Sequence, residues 1–222
     1  MKNRYAVFPF VMTGLAFLCF LLIVFCMSTC VQPLWGKTMV LIMPSLLLAV
    51  VAVLALKGKL DRRVTEFVTL VLSIVLVIVS FAYTVVLSVL TTTTETTDVK
   101  FYSRAYEKIE ERNGVEGVFP DAVPVDAEEV AFRYCPGFLQ GGEVLELSFA
   151  ATAESLSHWE SLLREKAEWI GSNEEWRRSH WGYGDEDAVR YQLYLEDGNH
   201  GETAFVLINS ASKRITFYYD RW

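Results

Sequence analysis

The sequence predicts two fold classes in one chain: an α-helical membrane bundle of three spans, then a small α+β domain with a helix on a mainly antiparallel sheet, in the order ββαβββ. Three observations carry that prediction. Residues 1–97 hold three apolar runs, at about 6–31, 38–56 and 64–90. Roughly 20 apolar residues, rising about 1.5 Å each as a helix, cross the ~30 Å hydrocarbon layer of a bilayer. After residue 115 the apolar residues instead alternate with polar ones, the period of half-buried strands. Charge divides at the same place, with a net of +4 in residues 1–97 and −11 in the rest. A mean hydropathy of +0.28 over 222 residues is the average of these unlike halves and describes neither.

The first run follows Lys2 and Arg4, as a signal peptide would, but it is longer than the ~7–15 residues of a signal core. MSTC at 27–30 matches a lipoprotein cleavage site poorly, because Thr29 and Met27 stand at positions where other residues are usual. The run is therefore read as a retained span. Pro44 interrupts the second run and predicts a kink there, since proline has no N–H and its ring clashes one turn back.

Short loops rich in Lys and Arg stay cytoplasmic. With three spans, the N-terminus and KGKLDRR at 57–63 share one side and six basic residues, whereas the opposite loop, VQPLWGK, has only Lys37. The expected orientation has both ends of the first two spans' basic flank inside and everything after the third span outside the cytoplasm, in a multi-pass protein of the cell membrane. Lys100, Arg104 and Lys108 weaken that asymmetry without reversing it. Apart from Glu66 at one lip, the three runs contain no ionisable residue, and such residues are what mark ion and proton paths. An anchor or a partner-binding bundle is the reading that follows.

In the third span Thr69, Ser73, Ser80, Thr84 and Ser88 recur at separations of four and seven, which sets them on one helical stripe. Small hydroxyl residues let helices approach and hydrogen-bond across the contact. The stripe can pack on the first two spans, or dock onto another membrane protein through Ser73, Ser80, Thr84 and Ser88. TTTTETT at 91–97 reads as a linker or a fraying helix end. Residues 98–114 read as a juxtamembrane helix from the spacing of Phe101, Ala105 and Ile109, stopped by Asn113-Gly114.

Residues 115–222 are long enough for one small domain. Alternation at Val130-Phe132-Tyr134, Leu145-Leu147-Phe149, Val189-Tyr191-Leu193-Leu195, Phe205-Leu207 and Ile215-Phe217-Tyr219 predicts five strands. Leu156, Trp159, Leu163, Ala167 and Ile170 share one helical face between the second and third strands, with Thr152 as N-cap and Gly171 as stop. EDGNHGE and NSASK suit hairpin turns.

Candidate chemistry is sparse. His158, His180 and His200, with Asp185, Asp187, Asp197 and Glu202, have no spacing specific for a metal, so no metal and no cofactor are expected. Cys135 beside a histidine would make a thiol nucleophile, and a membrane-tethered hydrolase is the enzymatic alternative. Cys-Pro-Gly at a strand end suits packing equally. EEWRRSHWGYGDED gathers Trp176, Trp181 and Tyr183 among charges and glycines, a composition used for contacts with glycans or proteins as well as for a loop packed on its own sheet. The acidity of the domain disfavours nucleic acid and anionic lipid head groups.

The run FPDAVPVDAEEVAFRYCPGFLQGGEVLELSF, followed by a helix and a C-terminal YYDRW, resembles extracytoplasmic domains of uncharacterised membrane proteins of Gram-positive bacteria, over about residues 118–222. That resemblance implies a bacterial extracytoplasmic location and brings no site residues. The expected function is a non-enzymatic binding, sensing or accessory module, partnered by the bilayer and by another membrane protein or a cell-surface ligand. A structural subunit of a larger membrane complex is the other alternative.

Overall fold

The structure is a computed structural model describing residues 4–137, 142–180, 183–198 and 201–222, and it divides into two compact units, 1–91 and 92–222. Unit 1 contains three helices long and apolar enough to cross a membrane: Val7–Ser28, Trp35–Leu56 and Arg62–Thr93. The first is α1 (Val7–Ser28). The second is assembled from α2 (Trp35–Thr38), a 3-10 stretch (Met39–Ile42) and α3 (Met43–Leu56). The expected kink at Pro44 therefore takes the form of a tightened turn just before it. Pro44 sits in the first turn of α3, where a missing N–H costs least, and the Val40 carbonyl that its ring would crowd accepts from Met43 instead.

The third span, α4 (Arg62–Thr93), outlasts its apolar run at both ends. Asp61 caps it by accepting the Val64 N–H at 2.8 Å, and Arg62 pairs with Glu66 at 2.9 Å. At the far end the threonines stay helical through Thr93, and the Thr91 hydroxyl donates to the Leu87 and Ser88 carbonyls. Phe25, Phe67, Phe81 and Ile78 are exposed along these helices, as side chains facing hydrocarbon would be.

Unit 2 is a six-stranded antiparallel sheet with helices, as the alternation predicts, but with one more strand and one more helix than the sequence reading contains. The strands are β1 (Glu128–Cys135), β2 (Glu143–Ala150), β3 (Trp169–Ser172), β4 (Val189–Glu196), β5 (Glu202–Asn209) and β6 (Arg214–Arg221), in spatial order β1-β2-β6-β5-β4-β3. A hairpin, β1–β2, is followed by α6 (Ala153–Lys166) and by a meander from β3 to β6 that ends beside β2.

One sheet face carries the main core: Leu145, Leu147 and Phe149 of β2, Ile215, Phe217 and Tyr219 of β6, and Val206 and Ile208 of β5, all buried. Each such side chain contributes about 1.5–3 kcal/mol on burial. α6 covers this face through Leu156 and Leu163, with the Trp159 ring edge-on to Phe217 at 5.0 Å. Thr152 caps α6 as expected by accepting from the Ser155 N–H. The helix stops at Lys166 rather than at Gly171, because Trp169–Ser172 is taken as β3 by pairing with β4. That register puts Ile170, expected on the helical face, on an edge strand.

α5 (Tyr102–Ile109) also belongs to this unit. Tyr102, Ala105 and Ile109 are buried, Tyr102 meets Phe132 edge-on at 5.6 Å, and its hydroxyl donates to the Pro120 carbonyl at 2.6 Å. Gly114, at φ +72°, lies so close to the meander that a Cβ would stand 2.9 Å from that of Ala204. Thr96 and Tyr134 exchange both backbone hydrogen bonds, at 2.9 and 2.8 Å, so the linker lies along part of the open edge of β1.

Candidate functional site

The opposite sheet face differs in chemistry. By register it presents Arg133 of β1, Glu146 and Ser148 of β2, Thr216, Tyr218 and Asp220 of β6, Phe205 and Leu207 of β5, and Arg190 and Gln192 of β4. Its β3–β5 side is roofed by α7 (Asn173–Ser179) and the segment after it. α7 lies within the stretch read from sequence as a loop. NEEWRRS is helical because Glu174 and Glu175 sit in the first turn and Arg177 and Arg178 in the last, each charge matching its end of the helix dipole.

The aromatic candidates of this segment form part of a ladder rather than a loose patch. Tyr183 stacks on Tyr218 at 4.6 Å, Tyr218 on Phe205 at 4.8 Å, and the Arg190 guanidinium lies 3.5 Å from the Phe205 ring centre. On its other side Arg190 lies 4.6 Å from the Trp176 ring, which packs against Trp169 at 4.8 Å and His180 at 4.2 Å. Trp176 is thus buried as a packing residue, while Tyr183 is partly exposed and its hydroxyl donates to Glu146 at 2.7 Å. Burial, reinforced by Glu146, pushes the Tyr183 phenol up to about 12. Trp181 and His200 lie outside the described residues.

Sequence reasoning missed the centre of this arrangement. Arg190 is buried, and no described carboxylate pairs with it; its Nε donates to the Gln192 side-chain carbonyl at 2.8 Å and a terminal nitrogen to that of Asn173 at 3.3 Å. Burial lowers its pKa. Asn173, also buried, uses its side-chain NH2 to hold the Tyr183 and Asp185 carbonyls at 3.1 and 2.8 Å, pinning the segment over the sheet. Gly184, expected to loosen this loop, is instead a close-approach residue: at φ +91°, a Cβ would fall 2.3 Å from Leu207 Cδ1. In VRYQLYLE both Arg190 and Gln192 occupy the alternating positions that normally face water, and only the length of the segment before them hinted at a cover.

Over β1, β2 and β6 the same face is more open. Arg133 there pairs with Glu95 at 3.3 Å; burial works against its charge, but Glu95 outweighs it and holds the pKa up. Asp220 is buried, with one oxygen accepting from Trp222 Nε1 at 3.0 Å and the other, Oδ1, unpartnered. Its pKa is raised by burial, which those hydrogen bonds only partly offset.

No protein-family model, curated protein or solved structure matches this chain. The geometry therefore stands by itself. Cys135 is half-buried at the β1 edge and by register shares the open face, whereas His158 is on α6 across the sheet and His180 stacks by β3 at the far edge. Six strands spaced about 4.8 Å apart separate those edges by roughly 24 Å. Among the described residues no three His, Cys, Asp or Glu side chains gather as metal ligands.

Of the hydroxyl candidates in unit 1, Ser73 is buried with Thr65 and Thr69, Ser80 and Thr84 are half-buried, and Ser88 is exposed. The inner face of α4 thus runs through Thr65, Thr69, Ser73, Ser80 and Thr84 to Leu87, which clusters with Phe20, Met27 and Leu41. Ser88 lies off that line.

Proposed function

We propose that this chain is a multi-pass cell-membrane protein whose acidic C-terminal domain faces the extracytoplasmic side and acts there as a non-enzymatic binding, sensing or accessory module. One observation carries the reading: the sheet face of β1, β2 and β6 is polar, partly open and preorganised. Arg133, Glu146 and Tyr183 are held there by Glu95, by one another and by the Tyr218 ring, so a ligand or protein meeting them need not order them first. Tyr and Arg set in a partly dry surface are the residue types that dominate contact energies. The same face takes its rigidity from the Arg190–Asn173 roof beside it.

A photoreactive amino acid placed at Arg133 or Thr216, in cells expressing the full chain, tests this. A discrete higher-mass adduct is expected from those positions and not from Glu165 on the outer side of α6. Adducts from Glu165 alone would move the contact surface to the helical side and overturn the proposal.

A further inference from the structure

A cleft of about 310 Å³ lies between the membrane helices of unit 1, ending at Met12, Leu48 and Ser73 on one side and at Ile23, Leu41 and Thr84 on the other. Its lining is almost wholly apolar, with no ionisable side chain. The stretches from Met12 to Ile23 and from Ser73 to Thr84 are each about three turns, so the cleft is roughly 16 Å long. Dividing volume by length gives a section of about 20 Å², which suits one file of carbon atoms held about 4–4.5 Å from their neighbours. A partner helix does not fit, because a single helical turn 10–12 Å wide takes up at least about 400 Å³.

The hydroxyls on α4 are not equivalent. Thr65 and Thr84 donate back to the carbonyls of Asp61 and Ser80, each at 2.8 Å. Ser73, which lines the cleft and is only 6% exposed, leaves its Oγ with no partner. A buried hydroxyl without a hydrogen bond is costly, and most costly in hydrocarbon, where no water can reach it. Ser73 lies about three turns beyond Arg62, roughly 16 Å along the axis and so near the middle of a ~30 Å hydrocarbon layer. The ester groups of ordinary lipids stay in the interfacial region and do not reach that depth.

We propose that the cleft binds one linear hydrocarbon chain taken up from the bilayer and carrying an uncharged oxygen acceptor, a ketone, ether or in-chain ester, to which Ser73 donates. The apolar walls hold the chain, and the single hydroxyl selects for the acceptor.

The full chain in lipid nanodiscs can be tested with a long-chain methyl ketone bearing a mid-chain diazirine and with the matching alkane lacking the carbonyl. On irradiation both are expected to label cleft-lining residues, the ketone about three- to tenfold more, as one neutral hydrogen bond allows. Ser73→Ala should remove the ketone's advantage and leave alkane labelling unchanged. Ala16→Phe, which fills the cleft, should abolish both. Excess unlabelled ketone should compete in the parent protein, a check that does not depend on a variant folding. Labelling spread evenly over Phe67, Ile78 and Val79, or a ketone advantage that is absent from the parent or survives Ser73→Ala, would overturn the proposal.

Discussion

At the scale of single residues, the outer domain turns on a cation placed where cations are costly. Arg190 lies between the Phe205 and Trp176 rings with Asn173 and Gln192 accepting from it, an arrangement that uses the planar fork and the stacking surface of guanidinium. A lysine would keep the cost of burying charge while losing the stacking and at least one of the two hydrogen bonds. A methionine would fill the slot between the rings without any charge. Arg190→Lys is accordingly expected to destabilise unit 2 by about 2–3 kcal/mol, and more than Arg190→Met does. Urea unfolding of the two variants checks the order; a lysine variant as stable as the parent would show that the guanidinium geometry is not what the site requires.

At the scale of elements, α5 tests where the domain begins. Periodicity correctly sets a helix just after residue 98, but a helix pattern does not say which neighbour receives its apolar face. Here Tyr102, Ala105 and Ile109 enter the core of unit 2, and Thr96 pairs with Tyr134. Truncation to 115–222 would expose those contacts and free the β1 edge, a loss of about 5 kcal/mol or more against a typical total of 5–15. The fragment 92–222 is expected to unfold in one cooperative thermal transition, and the fragment 115–222 to lack one. Equal melting of the two would mean that α5 is an appendage. β3 and α7 make the complementary point. Both lie in a stretch whose local signals favour one long helix and a loop, and pairing with β4 and roofing of Arg190 decide otherwise.

At the scale of the whole molecule, two solvents are written into one chain: apolar spans flanked by basic loops, and an acidic sheet domain. If loop charge sets orientation, protease added to intact protoplasts should digest 92–222 and spare KGKLDRR. Replacing Lys57, Lys59, Arg62 and Arg63 by Gln should give a mixed population in which a fraction of the domain is protected. Full protection in the parent would reverse the proposed topology.

The sequence by itself determined the three spans, the antiparallel sheet, its main core and the α6 cap, because these follow from periods and lengths that each segment carries locally. The inward stripe of α4 was readable for the same reason. Only the tertiary structure decided that Trp176 packs inward, that Gly184 is a contact rather than a hinge, and that Arg190 and Asp220 are buried. It also decided that Ser73 alone among the cleft's hydroxyls has no partner. Those outcomes depend on what lies across from a residue, and alternation assigns a side chain to a face of the sheet without saying whether that face is roofed.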